Sequence, residues 1–151
     1  MVPQITVIIP AYNEKAKIHR DLDAWTRFLH DEHSAELIVV DDGSQDGTFA
    51  AVEKYVNSYH GNCSVRLCAY SKNRGKGYAV RYGVTQAKGE VVAFADAGLC
   101  VPAPQLNGGL EKLKQGYDYA IASRRHQETK VVCSQPLYRQ LGSRAFSSVV
   151  R

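Results

Sequence analysis

Short apolar runs alternate with segments whose apolar residues recur at helical spacing, and that alternation restricts the possible folds of this chain more than any other feature. The runs Ile5 to Pro10, Glu36 to Val40, Val65 to Ala69, Val91 to Ala95 and Tyr119 to Ala122 are four to six residues long. Between them, Ile18, Leu22, Trp25 and Leu29 mark one amphipathic helix, and Phe49, Val52, Val56 and Tyr59 mark a second. Gly77 to Ala87 and Leu106 to Lys114 read as further helices, the last carrying Gly108 and Gly109 in its interior. Strands this short, separated by helices, pair through right-handed βαβ crossovers. The expected fold is therefore α/β, a doubly wound and mostly parallel sheet.

With 151 residues, the chain has room for one domain with a sizeable core. A hydrophobic fraction of 44% and a charged fraction of 23% are ordinary for a globular protein. The net charge of +4 is mild. It permits phosphate-bearing ligands or an anionic membrane surface, and it is too small and dispersed for a nucleic-acid-binding function. Cys63, Cys68, Cys100 and Cys133 lie far apart with no CxxC pair. They read as reduced thiols of a cytoplasmic protein, not as a disulfide framework or a zinc site. No stretch approaches the ~20 apolar residues of a membrane span, so any membrane contact is expected to be peripheral. From Pro136 onward, Tyr138, Leu141, Ala145 and Val149 share one helical face and Arg139, Arg144 and Arg151 avoid it. No stop signal ends that helix. The expected organisation is an α/β domain over 1–135, then the start over 136–151 of a C-terminal amphipathic helix in a chain that continues.

In open α/β sheets, ligands bind beyond the carboxyl ends of the strands. Here those ends carry Pro10-Ala11-Tyr12-Asn13-Glu14, Asp41-Asp42-Gly43-Ser44, Asn73-Arg74-Gly75-Lys76-Gly77, Asp96-Ala97-Gly98 and Ser123-Arg124-Arg125. Polar residues at every tip make that edge the expected site. Some single motifs admit other readings. Asn13-Glu14 suits the positive end of a helix. Asp42 with Gly43-Ser44 suits a turn and the cap of the next helix. Asp42, Ser44, Asp46, Gly47 and Glu53 approach the spacing of a calcium loop, but a strand precedes them where an EF-hand has a helix. Asn73 to Gly77 is not a Walker loop, because Gly77 follows Lys76. Nor is it a dinucleotide fingerprint, because Val80 stands at the third glycine.

Four of these segments, Ile5 to Glu14, Val39 to Thr48, Asn73 to Gly77 and Phe94 to Gly98, occur in the order and spacing of family 2 inverting glycosyltransferases with the A-type fold, and the chain resembles that family over essentially its whole length. The resemblance implies a nucleotide site built from Pro10, Ala11, Tyr12 and Glu14, with Val40 and Asp41 at the second tip and Asp41 accepting a hydrogen bond from the base. Lys76 then offsets diphosphate charge, and Arg124 faces donor or acceptor phosphates with its guanidinium fork. Arg125, Lys130 and Arg139 read as a basic surface open to an anionic leaflet. Asp96-Ala97-Gly98 stands where the family has an Asp-x-Asp triplet that holds Mg²⁺ or Mn²⁺. Asp96 is thus the expected metal ligand, with Gly98 removing the second carboxylate.

The branch most resembled transfers glucose or mannose to dolichyl or polyprenyl phosphate. That implies UDP-glucose or GDP-mannose as donor, a lipid phosphate as acceptor, and a place at the cytoplasmic face of a membrane. A general base, where one is used, is expected beyond Arg151. Two readings stand beside this one. One is a nucleotide-sugar-binding module without turnover; the other is a calcium or phosphoacceptor switch around Asp41, Asp42 and Asp46.

Overall fold

The computed structural model describes residues 4–30 and 35–123. Strands β1 (Ile5–Ala11), β2 (Ala35–Asp41), β3 (Ser64–Ala69) and β4 (Val91–Phe94) alternate with helices α1 (Ile18–Leu29), α2 (Thr48–Ser58) and α3 (Lys76–Gln86). A 3-10 turn, Ala103–Gln105, leads into α4 (Leu106–Lys114). The four strands form one sheet in the order β3-β2-β1-β4, every pair parallel. The described residues fall into two compact units divided after Asn107; sheet, α1, α2 and α3 all belong to the first.

The buried strands follow from their sequences. Every residue of β1 and β2 is buried, as expected for central strands covered on both faces, which read as continuous Val/Ile/Leu runs. In register, Ile8 of β1 lies beside Ile38 of β2. Together with Val40 these side chains pack against Ala79 of α3, with Cys68, Tyr70 and Tyr82 around them. On the other face, α1 and α2 meet through Thr26, whose hydroxyl is 2.9 Å from that of Tyr55. The edge strands are less covered: Val92 and Phe94 of β4 are exposed.

The amino end of the sheet is closed by a polar cluster. Glu36, 1% exposed, accepts the Thr6 hydroxyl at 2.8 Å, Arg66 Nη1 at 2.6 Å and the Lys88 backbone N–H at 3.1 Å. Thr6 Oγ1 in turn accepts the Gly89 N–H at 2.9 Å. Burial pushes the Glu36 carboxyl up, but the bonds from Arg66, Thr6 and Lys88 together hold it below the usual carboxylate value.

One expected element is absent. Tyr119–Ala122 is not a strand, and Tyr119 and Ile121 are exposed. An apolar run becomes a strand only where a neighbour supplies the ladder, and none of the three ladder pairings among the described residues reaches it. By contrast α4 forms despite Gly108 and Gly109. Residues 124–151, with Arg124 and the expected helix from Pro136, lie outside the described residues.

Candidate functional site

The loops after β1 and β2 are tied to each other almost entirely through side-chain acceptors. The N–H of Asn13 donates to Ser44 Oγ at 3.0 Å, that of Glu14 to Thr48 Oγ1 at 2.9 Å, and that of Lys15 to Asp46 Oδ2 at 3.1 Å. In return, Asn13 Oδ1 accepts the Gln45 N–H at 2.9 Å, which helps hold Asn13 at a positive φ of 54°. Glu14 therefore does not cap α1. The helix begins at Ile18, and Glu14 contributes its carbonyl to the turn before it. This frees the Glu14 carboxylate, which among the described residues keeps only a 3.8 Å ion pair with Lys17.

The third loop is organised by Asp42. Its Oδ1 accepts the Tyr70 hydroxyl at 2.7 Å and the Arg74 N–H at 2.8 Å; its Oδ2 accepts Asn73 Nδ2 at 3.1 Å and the Gly75 N–H at 2.9 Å. Gly43 makes this approach possible. Its φ is +70°, and a Cβ there would sit 2.6 Å from the Asn73 nitrogen. Burial, and then the bond to Asp42, push the Tyr70 phenol up, so that it stays a donor. The expectation that Asp42 caps the next helix is corrected: Asp46 Oδ1 accepts the Thr48 N–H at the start of α2. The amides of Arg74 and Gly75 are spent on Asp42 and are not open to a phosphate. The loop presents Lys76, the first residue of α3, to the cleft.

These loops enclose a cleft of about 240 Å³ at the carboxyl edge of the sheet. Pro10, Ala11, Tyr12 and Glu14 form one wall; Asp42, Lys76, Asp96 and Ala97 complete it. Lys76 Nζ is bonded to Asp96 Oδ1. The Tyr12 ring is exposed, and so available to a planar ligand. A larger groove of about 320 Å³ runs along α2 and β3, between residues such as Phe49, Val56 and Leu67. No residue expected at the nucleotide site lines it, though Glu53 of the calcium-loop reading does.

Seven of the expected residues thus share one cleft: Pro10, Ala11, Tyr12, Glu14, Lys76, Asp96 and Ala97. Val40 lies beneath it in the core. Asp41 is buried behind the wall. Its Oδ2 accepts the Ser44 N–H at 3.3 Å, and its Oδ1 has no hydrogen-bond partner among the described residues. Gly98 sits behind the cleft, its N–H turned to Asp21 of α1. Asp42 is the wall residue that sequence reasoning assigned elsewhere. The calcium reading loses its ligands, because Asp42 and Asp46 are already engaged by chain donors. Among the described residues no group of three or more His, Cys, Asp or Glu could hold a metal ion.

That donor set decides what cation would fit. One half-exposed carboxylate at a strand tip is no all-protein cage. It does suit Mg²⁺ or Mn²⁺, which take one or two carboxylates and complete their shell with substrate phosphates and water. Asp96 fits a cation shared with a diphosphate, and Lys76 stands ready with a second positive charge.

Comparison with known proteins bears on the family and the fold. The family described as Glycosyl transferase family 2 matches residues 6–144. The chain is 34% identical to the dolichyl-phosphate beta-glucosyltransferase of Drosophila melanogaster, over 97% of this chain and 48% of that protein. It is 32% identical to the dolichol-phosphate mannosyltransferase of Pyrococcus furiosus, over 98% of this chain and 40% of that one. The chain thus spans about half the length, or less, of these relatives. Among solved structures, a mannosyltransferase from Pyrobaculum calidifontis in complex with GDP-Man and Mn²⁺ superposes with a TM-score of 0.55 at 34% identity, over 64% of this chain and 28% of that one. The glucosyl-3-phosphoglycerate synthase of Mycobacterium tuberculosis with Mn²⁺, UDP and glucosyl-3-phosphoglycerate gives 0.51 at 28% identity, over 63% and 33%.

Proposed function

The chain belongs to glycosyl transferase family 2, and from that premise we propose that its strand-tip cleft binds a nucleoside diphosphate hexose whose sugar is passed, with inversion, to a polyprenyl phosphate. The observation that carries this is the convergence of Tyr12, Glu14, Lys76 and Asp96 on one cleft. Similarity to dolichyl-phosphate glucosyl- and mannosyltransferases supports the lipid phosphate acceptor, and leaves UDP-glucose and GDP-mannose as the two donors to test.

Each wall residue has a chemical task in this reading. The exposed Tyr12 ring packs against the base, the Glu14 carboxylate accepts ribose hydroxyls, and the buried Asp41, with one oxygen unpartnered, takes a base N–H. Lys76 leaves Asp96 when the donor arrives and turns to the diphosphate. Asp96 would hold Mg²⁺ or Mn²⁺, which when bound supplies positive charge against the leaving nucleoside diphosphate. A lipid phosphate has a second pKa of about 6 and is largely a dianion at neutral pH. Its oxygen attacks the anomeric carbon in line as the bond to the donor diphosphate breaks. Such an acceptor needs no proton removed, so the demand on the protein is positioning and charge stabilisation. The donor-binding domain is taken as 1–135. Arg124, Arg125, Lys130 and Arg139 are assigned to phosphates and an anionic leaflet at the cytoplasmic face. Among the described residues no helix is long and apolar enough to cross a membrane; the contact proposed for this basic surface is peripheral.

Gly98 favours a second reading, a donor-binding module that does not turn over. A thermal-shift screen of UDP- and GDP-sugars with and without Mn²⁺, paired with a transfer assay to polyprenyl phosphate, separates the two. Stabilisation that grows with Mn²⁺ and is accompanied by transfer supports the enzyme; stabilisation alone supports the module. No response to any nucleotide removes both.

A further inference from the structure

The donor site leaves one buried charge on α1 without a task. Asp21 is buried, a costly place for a carboxylate with few partners. Its Oδ2 accepts the backbone N–H of Gly98 at 2.5 Å. Its Oδ1 has no hydrogen-bond partner among the described residues and lies 3.8 Å from Arg20 Nε. Arg20 completes the grip by donating Nη2 to the Gly98 carbonyl at 3.2 Å. Two successive residues of α1 therefore hold both backbone polar groups of residue 98.

The segment they hold is strained. Gly98 has φ +98° and Leu99 φ +50°, two left-handed residues in succession, the second with a branched side chain. Such backbone persists only where its surroundings over-determine it. Space is not the reason for the glycine, because a Cβ at 98 would meet nothing within 4 Å; the positive φ is. On the near side, the Ala95 N–H donates to the Ile8 carbonyl at 2.9 Å as the extension of the β4 ladder. Asp96 is thus suspended between two fixed peptides, one held by β1 and the other by α1.

We propose that Asp21, assisted by Arg20, is a positioning residue for Asp96, fixing the turn at residues 96–99 in the geometry a divalent cation and a diphosphate require. It supplies, by hydrogen bonds from α1, the order that a second carboxylate at position 98 supplies by direct ligation. This rests on the donor-site reading above. It also explains how a site with one acidic residue in place of two retains a defined cation position: rigid support from outer partners is commonly worth 10–100-fold in metal affinity.

The test compares Asp21→Leu and Asp21→Asn with the unaltered chain in three measurements: Mn²⁺ titration by electron paramagnetic resonance with UDP or GDP present, nucleotide binding without metal, and amide exchange at Gly98. Asp21→Leu is expected to weaken Mn²⁺ about tenfold, leave metal-free nucleotide binding within twofold, and speed exchange of the Gly98 amide. Asp21→Asn keeps an acceptor for that amide and is expected to recover most of the loss. Where Asp21→Leu does not fold, Arg20→Ala carries the same expectation at smaller size, since its side chain is largely exposed. Parallel loss of Mn²⁺ and metal-free nucleotide binding overturns the proposal in favour of a merely structural role. So does unchanged Mn²⁺ affinity with a faster Gly98 amide. An unaltered chain that binds neither nucleotide brings down the donor-site reading instead, and the cation role of Asp21 with it.

Discussion

The sheet has a cation–carboxylate pair at each end, and the two are built to opposite specifications. At the amino end, Glu36 and Arg66 are 1% and 31% exposed, and Glu36 takes three donors. At the carboxyl end, Lys76 and Asp96 are 56% and 50% exposed and have each other. Strand β2 repeats the contrast along its own length: Glu36 near its start is saturated, whereas Asp41 at its end keeps one buried oxygen unpartnered among the described residues. A saturated buried acid contributes to the folded state and has nothing left for a ligand. An unsaturated one costs stability and keeps its acceptor for something that comes later. Between these two pairs, and between Glu36 and Asp41 of β2, stability and binding capacity are thus sorted to opposite ends of the strands; Asp42, just beyond β2, is the saturated acid that builds the third loop.

The largest expected effect is at the stable end. Glu36→Ala is expected to cost about 3 kcal/mol, the lower part of the range for breaking a buried pair, because Arg66 retains some water. The urea midpoint should fall while nucleotide binding by the remaining folded protein is unchanged. A pH signature accompanies it. The folded-state carboxyl is depressed below its ordinary 4.5, so its contribution is complete above that pH and disappears as pH falls through the depressed value. Glu36→Gln should flatten this part of the acid-unfolding curve. An unchanged curve would remove Glu36 as an acid-sensitive closure.

Next comes the binding end. Asp96→Ala is expected to abolish the Mn²⁺-dependent part of nucleotide stabilisation, a loss on the order of 2 kcal/mol by analogy with the 10–100-fold cost of damage around metal ligands. Its effect on the urea midpoint should be negligible. An unchanged Mn²⁺ response would take Asp96 out of the site. Asp41→Asn follows at about 1 kcal/mol. It relieves a buried, partly unsatisfied charge, so the melting temperature should hold or rise, while donor affinity falls about fivefold, the worth of one hydrogen bond. If Asp41→Asn leaves donor affinity unchanged, Asp41 is not the contact to the base; Asp42 is no substitute, because both of its oxygens are engaged by chain donors.

Which of these features could be read from sequence follows from how local their causes are. β1 and β2 announce themselves because burial on both faces demands uninterrupted apolar runs. The tips were legible because their polar residues follow those runs directly. Asp42 was misread because its donors, Tyr70, Asn73, Arg74 and Gly75, stand 28 to 33 positions away, and nothing nearby marks it as taken. The Asp21 grip on Gly98 spans 77 positions, and Asp21 reads simply as an acidic residue in the first turn of a helix. Tyr119 to Ala122 failed for the converse reason: it has local strand character, but a strand is a property of two chains' worth of hydrogen bonds.

The smallest expected effect is the sharpest test of the contrast between the two pairs. Lys76→Met removes a cation–carboxylate contact as direct as that of Arg66 with Glu36, yet its cost to the folded state should be within about 0.5 kcal/mol, since an exposed pair gains little over water. The freed Asp96 should then bind Mn²⁺ a few-fold more tightly in the absence of nucleotide, because a cation no longer displaces an ammonium to reach it. Diphosphate nucleotides without metal should bind more weakly, having lost that ammonium. The two responses move in opposite directions, which general destabilisation cannot produce. A loss of stability approaching that of Glu36→Ala would mean that Lys76 and Asp96 serve the fold after all, and the division between the two ends of the sheet would fail at the residue where it was drawn.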